Sequence, residues 1–260
     1  MQERQNNRSQ YFDELVTTCE KYFIPYISQF LTLHPGLSVL EIGCGDGGNL
    51  LPFSQRGCKT IGVDLSPSRI KVAQEKFHES EANGQFIASD IFEMKELEHQ
   101  FGLIICHDVL EHISDKADFL RHIRDYLTER GKVFMSFPAW QMPFGGHQQI
   151  CQNRLLSHLP FFHLLPYSLY KTVLRMAKEP EATINELLSI KKTRCPIELF
   201  ERLAQQEGFH IEHRQLYFIN PHYETKFHLR PRKLWSALSH IPWLRNFFTT
   251  SCFYIMEVAH

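Results

Sequence analysis

"VLEIGCGDGGNL", Val39 to Leu50, sets a short apolar run directly before four glycines and two acids. An apolar run of that length that ends in a glycine-rich turn reads as a buried strand feeding a ligand loop. Gly43 to Gly48 satisfies G-x-G-x-x-G, the pattern of dinucleotide sites. In such sites the glycines let backbone approach the ligand, and the following helix N-terminus cradles a pyrophosphate. The regular expression alone does not decide the ligand.

Working outward, the chain alternates. "KTIGVDL", "GQFIASD", "FGLIICHD" and "KVFMSFP" read as four further strands. Between them lie a short helix closed by Gly57 and a helix with Ser66 as N-cap and Pro67 at its first position. A third helix runs over residues 114–131, with Phe119, Leu120, Ile123 and Leu127 inward and Gly131 as its stop. This alternation predicts an α/β fold with a mostly parallel sheet covered by helices on both faces. Ahead of it, residues 1–36 read as a helical arm broken at Pro25, and residues 37–138 as the ligand-binding core. After Pro138 the rhythm stops. "PIELFERLAQQEG" resumes as a helix, and "FHIEHRQLYFI" and "TTSCFYIMEV" read as two last strands. Segments 139–194 and 220–247 are insertions into one domain spanning 1–260.

Bulk properties exclude several classes. A net charge of -1 argues against a general nucleic-acid binder. Seven scattered cysteines, never spaced C-x-x-C, read as reduced thiols in a cytoplasm. The polar start "MQERQNNRSQ" lacks the apolar core of a signal peptide. No stretch approaches the ~18 apolar residues of a membrane span.

The acids choose the ligand. Glu41 sits ahead of Gly43 and Asp46 lies inside the loop, where both would repel a pyrophosphate. They suit a ligand with a cationic end and no phosphate, and S-adenosylmethionine, with its ammonium and sulfonium, is such a ligand. Gly43, Gly45 and Gly47 allow close approach. Asp64, ending the second strand, can accept from both ribose hydroxyls, although NAD sites use the same feature. Asp90 can accept from the adenine amino group while Ile91 packs on the ring. "CHDVLEHI" ends the fourth strand, so four strand ends carry polar groups toward one crevice. A nicotinamide oxidoreductase and a non-catalytic protein with the same pocket remain the rival readings.

Together "VLEIGCGDG", "GVDLSP", "ASD", "FGLIICHDVLEHI" and "LTERGKVFMSFP" resemble the ordered motifs of class I S-adenosylmethionine-dependent methyltransferases. The likeness is to the small-molecule branch that includes the ubiquinone and menaquinone biosynthesis enzymes. It covers Leu37 to Pro138, with weaker support from Cys195 to Phe218. One departure is Gly102, where the family often has Asp. The resemblance implies a Rossmann-like sheet of seven strands with the last antiparallel, and methyl transfer to O, N or C of a small, aromatic or lipid-like acceptor. It implies Glu41, Gly43, Gly45, Gly47, Asp64, Leu65, Asp90 and Ile91 as the cofactor's holders, His107 and Asp108 at its methionine end, and Tyr11 reaching it from the arm.

His147, in a glycine-hinged loop, is the candidate general base, since histidine titrates near neutrality. Some family members with an acid-x-x-Glu-His motif hold a divalent ion, so Asp108, Glu111, His112 and His147 form a candidate set for Mg²⁺, Mn²⁺ or Zn²⁺, with helix capping the favoured alternative. "RPRKLWSALSHIPWLR" belongs to a stretch from Thr225 to Met256 without Asp or Glu. It reads as an amphipathic cover for the crevice with Trp235, Leu238 and Trp243 inward, and at most a peripheral membrane contact. "LPFFHLLPYSLY" is expected to close the acceptor pocket.

Overall fold

The two faces of a single sheet divide the apolar residues of the core by the simple alternation of strand side chains. The computed structural model describes residues 8–259. The first seven residues of the expected arm, with most of its polar start, lie outside them. Strands β1 (Ser38–Ile42), β2 (Lys59–Asp64), β3 (Gln85–Ala88), β4 (Phe101–His107) and β5 (Leu127–Phe137) are parallel neighbours. Beyond β5 come β6 (Phe209–Ile219), β7 (Arg232–Lys233) and β8 (Ser251–Val258), and the spatial order is β3-β2-β1-β4-β5-β8-β6-β7. β8 is inserted antiparallel between β5 and β6. The sheet thus has eight strands where seven were expected. The extra one is the two-residue β7, which pairs with the edge of β6 inside the second insertion.

Helices number along the chain as α1 (Arg8–Thr18), α2 (Ile24–Ile27), α3 (Leu51–Gln55), α4 (Pro67–Glu79), α5 (Lys116–Tyr126), α6 (Arg154–His158), α7 (Tyr167–Met176), α8 (Glu181–Thr193), α9 (Ile197–Gln206), α10 (His222–Phe227) and α11 (Ser236–Ser239). Leu40, Ile42, Ile104, Val133 and Met135 face α5 and α9. Val39, Leu103, Ile105 and Phe134 face the N-terminal arm and α4. Both faces are therefore dry, as a parallel sheet requires.

Two boundaries differ from the sequence reading. The third helix stops at Tyr126, and β5 begins at Leu127. Leu127 pairs with Phe101, then the register jumps to Leu103 opposite Lys132, so the residues up to Gly131 form an irregular strand start, with Gly131 inside β5. The arm does not break at Pro25. It widens before it, over Cys19–Phe23, where the Ile24 N–H donates to the Cys19 carbonyl. Pro25 then falls in the first turn of α2, where its missing N–H costs little.

The insertions do not lie as expected. Segment 139–194 builds its own small core from Leu156, Phe162, Tyr170, Leu174, Ile184 and Leu187. Its longest helix, α8, was not anticipated. Glu179 ties the segment together by accepting from the Gln152 and Asn153 N–H groups at 2.9 and 2.8 Å. In the second insertion Leu238 packs against the main core, but Trp235 and Trp243 are 82% and 60% exposed instead of inward. The buried position there belongs to Arg245, which pairs with Glu198 at 3.0 Å and Glu201 at 2.7 Å. That ion pair fixes the turn over Leu244–Phe248 and leaves the neighbouring indole outside.

Phe23 joins the arm to the sheet. Its ring lies 5.0 Å from Phe134, 5.3 Å from Phe253 and 4.9 Å from His107. Tyr26 adds a hydrogen bond to the Phe253 carbonyl at 3.1 Å. Phe23→Ala is expected to cost about 3–5 kcal/mol of unfolding free energy. Denaturant midpoints and amide exchange over residues 8–27 check it. A loss below about 1 kcal/mol would mean that the arm is held elsewhere.

Candidate active site

The glycine loop is shaped by its neighbours before any ligand is considered. Gly43 and Cys44 donate their N–H groups to the Val63 carbonyl at 2.8 and 3.1 Å, folding the loop onto the end of β2. Asp64 completes the clamp, accepting from Gly45 N–H at 2.9 Å and Ser66 N–H at 2.8 Å. Each of its oxygens keeps a further acceptor site. Gly43 has φ +70°, and a Cβ there would lie 2.3 Å from Val109. A Cβ at Gly45 would lie 2.2 Å from the Arg69 guanidinium. Only glycine fits either place.

Glu41 is buried beneath this loop. One oxygen accepts from Asn49 Nδ2 at 2.7 Å, and the other has no partner. Burial raises its pKa to about 8, against the lowering effect of the Asn49 bond. Asp46 is buried too, with Arg8 and Arg69 each 3.3 Å from the same oxygen. Arg69 was not singled out in the sequence. It stands one turn into α4, and nothing in its local pattern marks it.

A crevice of 530 Å³ opens in front of the strand ends. Tyr11, Asp46, Arg69 and Asp108 line one side of it, with Glu111, His112 and His147 beside them. The insertions contribute their near ends, Met142, Phe144, His147, Gln149 and Ile150 from the first and Asn220, His222, Tyr223, Lys226 and Phe227 from the second. None of residues 159–170 lines it, so "LPFFHLLPYSLY" does not close this pocket. Asp64, Leu65, Asp90, Ile91 and His107 also lie outside its lining. Leu65 is exposed, whereas Asp90 caps a turn by accepting from Phe92 N–H at 3.1 Å. Ile91 is buried in the core, and His107 packs on Phe23 with its Nε2 3.6 Å from Asp108. The second insertion is strapped to the arm, since Thr18 Oγ1 meets His222 Nδ1 at 3.0 Å and the Tyr22 hydroxyl bonds Glu224.

Glu111, His112 and His147 bring one ligand atom each within 4.8 Å of one another. His147 Nε2 is 3.9 Å from Glu111, and the two imidazoles are 5.3 Å apart. Both Glu111 oxygens are buried without a hydrogen-bond partner. Burial, then the nearby Asp108 charge, pushes its pKa well up. Burial lowers His147 to about 4, helped by His112, whose own pKa burial also lowers. Asp108, grouped with these three from the sequence, is not part of the cluster. Asp108 and His147 both adopt positive φ, +54° and +55°, a strained setting for such residues.

A methyltransferase-domain family model matches residues 15–183. The chain belongs to the methyltransferase-domain family. That match speaks for a methyltransferase over a nicotinamide enzyme. The chain is 31% identical over 113 residues to a ubiquinone biosynthesis O-methyltransferase of Coxiella burnetii, covering 44% of this chain and 48% of that one. It is 32% identical over 107 residues to phosphoethanolamine N-methyltransferase 1 of Zea mays, covering 41% and 21%. The chain thus spans about half the length of the first of these relatives, and less of the second. Geranyl diphosphate C-methyltransferase from Streptomyces coelicolor shares the fold, with TM-score 0.59, 12% identity and coverage of 92% and 79%. So does magnesium protoporphyrin IX methyltransferase from Synechocystis, with TM-score 0.54, 16% identity and coverage of 95% and 84%.

The glycine cradle and the unpartnered Glu41 oxygen fit S-adenosylmethionine as the cofactor. They also make a pH prediction. Glu41 has a folded pKa of about 8 against an ordinary 4.5, so between these values the folded state holds a proton that the unfolded state lacks. Its stability contribution is present at low pH and declines as pH rises toward 8. Melting temperatures from about pH 5 to about pH 9 should fall more steeply for the wild type than for Glu41→Gln. Parallel curves would show that Glu41 is ionised throughout.

Proposed function

We propose that the protein transfers a methyl group from S-adenosylmethionine to an O, N or C nucleophile of a small aromatic or lipid-like acceptor. The observation that carries this reading is the crevice itself, with Asp46 and Asp108 on one side and, on the other, Met142, Phe144, Tyr223 and Phe227 interleaved with Gln149, His222 and Lys226. Apolar and aromatic walls with a few convergent polar groups are the usual makeup of a small-molecule site. When bound, the cofactor supplies an electrophilic methyl on a sulfonium. In this reading the chain does the rest. Gly43, Gly45 and Gly47 admit the ligand to the backbone, Asp64 and Asp90 accept from its hydroxyl and amino groups, and Leu65 and Ile91 flank its ring. Glu41, Asp108 and Tyr11 set the charge and shape around its methionine end, while His107 positions Asp108. The near ends of segments 139–194 and 220–247 act as the lid. The seven cysteines are unpaired and buried, which supports a reducing, cytoplasmic setting.

His147 is the proposed general base. It is neutral at physiological pH and can accept a proton at Nε2. Its low basicity suits an acceptor that becomes acidic as the new bond forms, such as a phenol or an amine. In-line methyl transfer also draws much of its rate from holding the acceptor in place.

Glu111 favours a second reading of the same residues. A buried carboxyl with two unpartnered oxygens, beside two neutral imidazoles, suits a divalent cation. Glu111, His112 and His147 would hold it, and it would supply a positive charge to the acceptor's reacting group. His147→Ala should leave cofactor affinity unchanged and lower turnover of a panel of phenolic and prenylated aromatic acceptors ~10²–10⁴-fold. Activity that survives EDTA assigns the base alone. Activity lost in EDTA and restored by Mg²⁺, Mn²⁺ or Zn²⁺ assigns the cation. A full rate in the alanine variant removes both roles.

A further inference from the structure

The far side of the insertions carries a surface that the crevice does not use. Residues 130–178 contain six Lys or Arg and no Asp or Glu, and residues 225–256 contain five and none. Of these cations Lys132, Arg175 and Arg245 pair with acids from outside the two segments, and the rest have no acid within their own segment. The two segments meet in space, where Phe161 and Phe247 lie with ring centroids 6.3 Å apart. Phe161, Tyr167, Trp243, Leu244, Phe247 and Phe248 are all exposed there.

Cations interleave with these side chains. Trp243 and Phe247 border a cavity of 490 Å³ together with Lys191, Arg194 and Arg202. An adjoining groove of 400 Å³ shares Leu164, Lys191 and Arg194 with it and adds Lys192 and Tyr167. Glu198 is the one acid in either lining, and Arg245 and Asn246 already engage it. The surface thus offers unneutralised positive charge between aromatic and aliphatic groups.

The backbone presents the two leading aromatics at a cost. Phe161 has φ +61° and Trp243 has φ +64°, a region that bulky L-residues rarely adopt. Both are held there, Phe161 by its N–H to the Pro143 carbonyl at 2.7 Å and Trp243 by its N–H to Glu198 at 2.8 Å. Strain of this kind, spent on turning a ring outward, points to a surface with a use.

We propose that this face docks on an anionic phospholipid bilayer. Trp, Phe, Tyr and Leu enter the boundary between headgroups and acyl chains, and Lys192, Arg194 and Arg202 meet the lipid phosphates. Exposed aromatics flanked by Lys and Arg are the composition of interfacial membrane contacts. No helix among the described residues is long and apolar enough to cross a membrane, so the contact is peripheral. It does not depend on the identity of the methyl acceptor.

The test is sedimentation of the full chain with vesicles of phosphatidylcholine alone and with about 30% phosphatidylglycerol. The protein is expected to pellet with the anionic vesicles only, and to be released at ~0.5 M salt. Lys192→Glu/Arg194→Glu and, separately, Phe161→Ser/Trp243→Ser should each lower partitioning at least ~10-fold. All four residues are outside the crevice, so melting temperature and cofactor affinity should stay at wild-type values. In a Trp140→Phe/Trp235→Phe background, which leaves Trp243 as the single tryptophan, brominated acyl chains should quench its fluorescence. Failure to bind anionic vesicles, equal binding to neutral ones, or binding indifferent to both double variants overturns the proposal. Absence of quenching overturns the assignment of this face. Failure to bind vesicles alongside capture of an acidic protein would give the surface to that partner instead.

Discussion

Asp64 reaches back across the sheet's edge to Gly45, and the geometry of the site follows from that bond. One carboxylate joins the end of β2 to the loop after β1 and to the start of α4. With the loop fixed, Asp46 has one orientation, toward Arg69 from α4 and Arg8 from α1. The arm is thereby drawn over the strand ends, where Tyr11 joins the crevice wall and Phe23 locks the helix to β5 and β8. The backbone at Gly45, with φ +53°, favours glycine, and a Cβ there would displace the Arg69 guanidinium.

Burial of charge then sets the chemistry. Desolvation pushes the carboxyl pKa of Glu41 and of Glu111 up, and one oxygen of Glu41 and both of Glu111 are left without partners. His147 and His112 are imidazoles held neutral by the same cause. A neutral floor beside an acid-rimmed loop is poised to take up positive charge, either from a sulfonium and ammonium or from a divalent cation.

Most of the core was legible in the sequence because its signals are local. Leu103–Cys106 is an uninterrupted apolar run and Val39–Ile42 is broken only by Glu41, while Asp64 ends β2 and Asp90 lies two residues past β3. The insertions were not legible, because their packing depends on pairs distant in sequence. The inward-facing reading of Trp235 and Trp243 rests on an amphipathic pattern, whereas an interior position there belongs to Arg245, paired with two acids on α9. Arg69 escaped notice for the same reason, since its partner Asp46 lies 23 residues away. The Glu111, His112 and His147 grouping was visible only as spacing. Its exclusion of Asp108 follows from a backbone turn, at φ +54°, that no residue pattern announces.

The account rests on the claim that Asp46 beside the glycine loop, with Glu41 beneath it able to ionise against a nearby cation, selects a cationic ligand without phosphate. Calorimetric titration of the wild-type chain with S-adenosylmethionine and, separately, with NADP tests it directly. Saturable binding of S-adenosylmethionine is predicted, stabilising the fold by about 2.7 kcal/mol at ~100 times its dissociation constant, with no heat from NADP. Binding of NADP without binding of S-adenosylmethionine would contradict it.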